Sequence, residues 1–217
     1  MSQNLHGSLK LLEIARDSGC RCWVGLGSQA EYGPYEGVLT EELPPRPATL
    51  YGVVKLCLGH LSGKLCEIYG IRFVWLRLLA AYGPMDDPGH MIPYIILSLL
   101  RGQKPALTHG GQRWDYLHVA DAARAIWKVA NSPDVQGVFN LCSGRALSVR
   151  SIAERIRDLM DPGLLLGFGE IPYGPDQRMA LEADVSRLRD ATGWTPQVPL
   201  DDGLKATVDW YRNHEGL

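Results

Sequence analysis

Cys22-Trp23-Val24-Gly25-Leu26-Gly27-Ser28-Gln29-Ala30-Glu31-Tyr32-Gly33 can be read in two ways that lead to different folds. Gly25 to Ala30 fits G-x-G-x-x-A after an apolar strand, the outline of a dinucleotide-binding turn. That turn works only where a helix begins inside the motif and points its N-terminal amides at a pyrophosphate. Glu31-Tyr32-Gly33-Pro34-Tyr35-Glu36-Gly37 cannot continue a helix. A second strand ending in an acidic residue some ~20 positions on is also missing. The other reading makes Cys22 to Leu26 a buried parallel strand with Ser28 at its C-terminal end, where open α/β sheets place ligands. Gly25 and Gly27 then let the backbone pass close to a flat ring, and Tyr32-Gly33 turns the chain away.

Working outward, Tyr51-Gly52-Val53-Val54-Lys55 falls in a helix spanning about residues 48–69, closed by Gly70. Residues four apart share a helix face, so the Lys55 ammonium can lie near the Tyr51 phenol. A free phenol titrates near ~10, and a neighbouring cation moves it toward neutrality. Such a phenol can exchange a proton with a substrate hydroxyl at physiological pH. Ser28 can hydrogen-bond the same hydroxyl. Ser28, Tyr51 and Lys55 are therefore the candidate catalytic residues.

The remaining pattern alternates helix and strand. Residues 4–18 carry Leu5, Leu9, Leu12 and Ala15 at helical spacing, and 71–79 read as a second buried strand. Residues 90–101, 120–130 and 148–160 read as helices, the last capped by Ser148. Strands are expected near 115–119 and 138–142. Asp184 is a further cap candidate, and Asp201 or Asp202 can start a final helix. The order implies a parallel sheet with crossover helices.

With 217 residues, 46% hydrophobic residues and a net charge of −2, the chain reads as a globular protein with no nucleic-acid partner. The longest apolar stretch, residues 91–100, is too short to span a bilayer, and no membrane partner is expected. Five cysteines in no framework spacing point to free thiols in a reducing, cytoplasmic setting. Cys20 and Cys22 do not form CxxC, and the six histidines lack ligand spacing, so no metal is expected.

Gly27-Ser28-Gln29-Ala30-Glu31-Tyr32-Gly33, Tyr51-x-x-x-Lys55 and Arg77-Leu78-Leu79-Ala80-Ala81-Tyr82-Gly83-Pro84 together resemble the extended short-chain dehydrogenase/reductase family. More narrowly they are similar to its NAD-dependent epimerase/dehydratase group, which acts on nucleotide sugars. Trp114-Asp115-Tyr116-Leu117-His118-Val119-Ala120-Asp121, Phe139-Asn140, Ser143-Gly144, Ala183-Asp184 and Gly193-Trp194-Thr195-Pro196 agree. The resemblance implies an α/β fold: an incomplete Rossmann-like, doubly wound parallel sheet with a smaller α/β substrate-binding lobe. Residues 1–84 would be the remnant of the dinucleotide-binding domain. Residues 85–217 would form mainly the substrate lobe, with 106–142 partly returning to the sheet.

It further implies Tyr51 as acid/base, Lys55 on the nicotinamide ribose of NAD or NADP, and Ser28 orienting a sugar hydroxyl or keto oxygen. Gly27, Tyr51, Lys55, Leu79 and Ala81 would line the cofactor. Ser28, Gln29, Ala80, Arg113 and Arg178 would face a nucleotide-sugar substrate. Arg113 has two readings, a pyrophosphate contact or a solvated charge, and Arg178 likewise reads as a loop charge or a phosphate partner. Pairing into a homodimer through the helices around Tyr51 and Met91 is also implied.

Departures from the family narrow the activity. Sugar dehydratases carry Asp-Glu after the Ser/Thr position, whereas Gln29 and Ala30 cannot exchange protons. The expected activity is therefore epimerisation or 4-keto reduction. Ala80 stands where Asn is usual, and Trp114 where Arg is usual. Matching residues 4–12 to the family places Met1 after most of the first mononucleotide-binding half, with its glycine loop. A truncated, non-catalytic relative that binds a sugar nucleotide or a protein partner is the alternative expectation.

Overall fold

The structure, a computed structural model, describes residues 2–175 and 177–214. In chain order its elements are α1 (Ser2–Asp17), β1 (Cys22–Ser28), α2 (Leu50–Tyr69), β2 (Arg72–Leu78), β3 (Ala80–Tyr82), α3 (Met91–Leu100), β4 (Ala106–Leu107), β5 (Arg113–His118), α4 (Val119–Ala130), β6 (Gly137–Leu141), β7 (Ala146–Ser148), α5 (Val149–Met160), β8 (Gly167–Phe168), β9 (Ala180–Leu181), α6 (Ser186–Thr192) and α7 (Leu200–His214). The chain divides into two compact units. One comprises residues 1–79, 123–144 and 183–195, the other 80–122, 145–182 and 196–217.

The first unit is built on a parallel sheet in the order β1-β2-β6. β2 and β6 read as apolar runs because both their faces are covered: Val74, Leu76 and Leu141 are fully buried, with Trp75 and Phe139 nearly so, whereas Leu26 of β1 is exposed. Pairing in register puts Gly25 beside Trp75 and Gly27 beside Arg77. A Cβ on Gly25 would stand 2.3 Å from the Trp75 ring, and one on Gly59 of α2 would stand 2.9 Å from it. The flat ring for which the strand glycines make room is therefore the Trp75 indole. On the other face, Arg72 donates to the carbonyls of Val129, Ala130 and Val135. Beneath α1, Leu12, Cys66 and Ile71 form a small core, and burial pushes the Cys66 thiol up to about 11.

α2 starts at Thr49, whose side chain accepts the Gly52 N–H, and stops at Gly70 in the left-handed conformation (φ 68°). Ser148 caps α5 as its spacing predicts, accepting from the Ser151 N–H. Asp184 accepts from Ser186 at the start of α6, although Val185 is the residue at the cap position itself.

The second unit packs α3, α5 and α7 around Ile95, Ile96, Ile152, Ile156, Leu204 and Val208. Its strands β3, β5, β7 and β9 form a mixed sheet, parallel at β3–β5 and β5–β9 and antiparallel at β5–β7. Asp121, fully buried, accepts the N–H groups of Gln197 and Val198 and so ties down the approach to α7. No helix is long and apolar enough to cross a membrane among the described residues.

Candidate active site

β1 ends at Ser28 in extended conformation, and Gln29–Glu31 form a single 3-10 turn. The chain then runs as a loop to α2, so the amides after Gly27 do not open a helix and the dinucleotide-turn reading of Gly25 to Ala30 fails. The turn is a capping box. Ser28 Oγ accepts the Ala30 N–H at 3.2 Å, while Glu31 Oε1 accepts the Ser28 N–H at 2.8 Å.

α2 brings Tyr51 and Lys55 to this turn. Gly52 makes the approach possible, because a Cβ there would stand 2.3 Å from the Ala30 carbonyl oxygen. Lys55 Nζ donates to the carbonyl of Leu26, two residues before Ser28, at 2.9 Å, and lies 5.8 Å from the Tyr51 ring centre. Tyr51 is 51% exposed, which leaves its hydroxyl open to a ligand. An ammonium has three donors, and Leu26 takes one, so two remain for a ligand, a number that fits the paired hydroxyls of a ribose. The donor set thus suits a nicotinamide nucleotide. Gly27 faces inward, its missing Cβ replaced by Glu31 Oε1 and Trp75 Nε1, each 2.3 Å from where that atom would be. Leu79 is buried and donates its N–H to Leu141.

The first unit thus holds Gly27, Ser28, Gln29, Tyr51, Lys55 and Leu79. The second unit holds the other candidates. Ala80 and Ala81 lie on β3, half-buried and paired with Tyr116 and Leu117 of β5. Arg113, exposed on β5, donates from Nη2 to the Ala146 carbonyl at 3.0 Å. The Arg113 N–H donates to Met179, which draws the segment carrying Arg178 alongside. Burial holds the Arg178 guanidinium below its usual value.

Sequence reasoning missed the buried polar chain that anchors the turn. Glu31 accepts from Trp75 Nε1 and Arg77 Nε at 3.0 and 2.9 Å, and the Arg77 guanidinium lies 4.5 Å from the Tyr32 ring centre. Tyr32 Oη donates to Asn140 Oδ1 at 2.6 Å. Asn140 Nδ2 donates in turn to the carbonyls of Leu39 and Asp184. Burial raises the Tyr32 phenol, and the Arg77 guanidinium offsets part of that rise. The signal was present as Ser28-x-x-Glu31, a capping-box pattern. A cleft of about 340 Å³ along α2, lined by His60, Lys64, Phe73 and Trp75, does not include Ser28, Tyr51 or Lys55 in its lining.

The family model described as "NAD dependent epimerase/dehydratase family" matches residues 1–142. The chain is 32% identical over 223 residues to the dTDP-glucose 4,6-dehydratase of Streptomyces griseus, covering 97% of this chain and 65% of that protein. Among solved structures, it resembles a UDP-N-acetylglucosamine 4-epimerase from Methanobrevibacter ruminantium in complex with UDP-N-acetylmuramic acid. There the TM-score is 0.90 and the identity 25%, over 97% of this chain and 69% of that one. A UDP-glucose 4-epimerase of Thermus thermophilus in complex with NAD aligns with TM-score 0.84 and 26% identity, over 97% and 70%. This chain therefore spans a little under two thirds of the dehydratase and about seven tenths of the epimerases. With the family match covering more than half of its residues, the chain belongs to the NAD-dependent epimerase/dehydratase family.

Proposed function

We propose that this chain carries the catalytic and substrate-binding parts of an NAD(P)-dependent nucleotide-sugar epimerase or 4-keto reductase. The observation that carries the reading is the hydrogen bond from Lys55 to Leu26, which ties the helix bearing Tyr51 to the strand end bearing Ser28. Tyr51 exchanges the proton of a sugar hydroxyl, and Ser28 hydrogen-bonds that oxygen. The two remaining Lys55 donors hold the ribose of the cofactor. NAD or NADP, when bound, accepts or returns the hydride at the sugar carbon. Gln29 and Ala30 supply no group that can take up or release a proton, which argues against water elimination, although dehydratases are among the relatives. Arg113 and Arg178 of the second unit are the proposed contacts to the sugar-nucleotide phosphates. Two copies would pair through α2, where Leu61 and Ile68 are exposed, and through α1, where Leu11 and Ile14 are exposed. α3 offers less, since most of its apolar residues sit in the core of the second unit.

A second reading is binding of a sugar nucleotide or a protein partner without turnover. Titration with NADH and NADPH, followed by incubation with NAD and UDP- or dTDP-hexoses under NMR, separates the two. Turnover that falls roughly 10²- to 10⁴-fold in Tyr51→Phe is the expected result. Nucleotide-sugar binding with no turnover would favour the second reading.

A further inference from the structure

We propose that Glu31 is a positioning residue: its buried carboxylate, gripped from β2 by Trp75 and Arg77, fixes the turn after β1 so that the Ser28 hydroxyl faces a substrate oxygen as a donor. This rests on the reading of Ser28 given above and deepens it.

Glu31 is 1% exposed, and Arg77 is 6% exposed. The carboxylate receives three donors from two strands: the Ser28 N–H at the end of β1, and Trp75 Nε1 and Arg77 Nε from β2. Trp75 and Arg77 are two residues apart and so point to one face of the sheet, opposite Gly25 and Gly27. Any side chain at Gly27 would collide with Glu31 Oε1 and Trp75 Nε1. Four separate positions of the sequence thus converge on one carboxylate. A buried ion pair seldom makes a fold more stable than an apolar filling of the same shape. Arg77 also leaves Nη1 buried without a hydrogen-bond partner, a further cost that stability alone does not explain. What the arrangement does provide is geometry. With the Ser28 N–H committed to Glu31, the Ala30 N–H is aligned on Ser28 Oγ. One lone pair of the hydroxyl is then occupied, which orients the group. Of its proton and remaining lone pair, the proton is the one a substrate oxygen can accept.

The test compares wild type, Glu31→Gln, the apolar pair Glu31→Leu/Arg77→Met, Ser28→Ala, and each Glu31 variant combined with Ser28→Ala. Amide exchange at Ser28 and Ala30, melting temperature, kcat and KM are read for each. The apolar pair removes the buried charges but leaves the Ser28 N–H and Trp75 Nε1 without their acceptor, so its melting temperature should fall, and exchange at Ser28 should quicken at least about tenfold, as expected for losing a hydrogen bond to a charged acceptor. Its kcat should fall by about 100-fold, a loss typical of one misplaced donor, with KM little changed. Adding Ser28→Ala should cost nothing further. If the apolar pair does not fold, Glu31→Gln, which keeps one oxygen for the Ser28 N–H but loses the charge paired with Arg77, should show a smaller quickening and a smaller fall in kcat. A folded variant with unchanged Ser28 exchange, or kcat losses that multiply with those of Ser28→Ala, would overturn the proposal. Absence of turnover in wild type would instead refute the reading of Ser28, while the exchange contrast would still decide whether Glu31 fixes the turn.

Discussion

Burial holds the Glu41 carboxylate above its ordinary range, and the N–H of Asn140, donating at 2.6 Å, offsets part of that rise. A carboxylate raised on folding adds most to stability when protonated, below the unfolded value of about 4.3, and loses that contribution as pH rises through the folded value. Glu41→Gln keeps an acceptor and removes the titration. Its melting temperature relative to wild type should therefore climb between pH 4.5 and 7.5. A difference that stays flat, or falls, would show that the carboxylate is not penalised. Nothing in the local sequence announces this residue, because Glu41 and Glu42 look alike until Asn140 arrives from 99 positions away. Ser28, Tyr51 and Lys55 were legible for the opposite reason: two share a helix face by spacing alone, and the third ends an apolar strand.

At the scale of the element, α2 shows how one helix answers to several neighbours. Its cap at Thr49 and its stop at Gly70 follow from local chemistry and agree with a helix read over 48–69. Its internal glycines do not. Gly52 meets the Ala30 carbonyl, Gly59 the Trp75 ring and Gly63 the Phe73 ring, so each lets the helix lie closer to the sheet. Helix propensity favours alanine over glycine by about 1 kcal/mol. At Gly7 of α1 an added Cβ meets nothing within 4 Å, and Gly7→Ala should gain about that amount. At Gly52 the clash is with backbone, and overpacking of that kind costs roughly 1–3 kcal/mol, so Gly52→Ala should lower the melting temperature. It should also weaken cofactor binding, because Tyr51 and Lys55 move with the helix. Thermal melts of the two variants side by side check the opposite signs. The two-residue strands β4, β8 and β9 escaped the sequence reading because each is too short to show a period of its own.

For the whole molecule, the apolar stripes left on α1 and α2 carry the proposed pairing of two copies. Replacing Leu61 and Ile68 together by Glu should convert a dimer to a monomer in sedimentation without unfolding it, since both side chains are exposed. A wild type that sediments as a monomer at every concentration would dispose of the dimer. The sequence by itself determined the alternation of helix and strand, the parallel sense of the first sheet, and the pairing of Tyr51 with Lys55 on one helix face. Those follow from periodicity, caps and spacing, which act over a few residues. Only the tertiary structure decided that the ring beside Gly25 and Gly27 is Trp75, that Glu31 lies buried against Arg77, and that the chain crosses between its units five times, once within α4. These outcomes depend on strand register and on which distant donors reach a buried charge. Burial in a medium of low dielectric makes such pairings compulsory, and no local pattern encodes the partner.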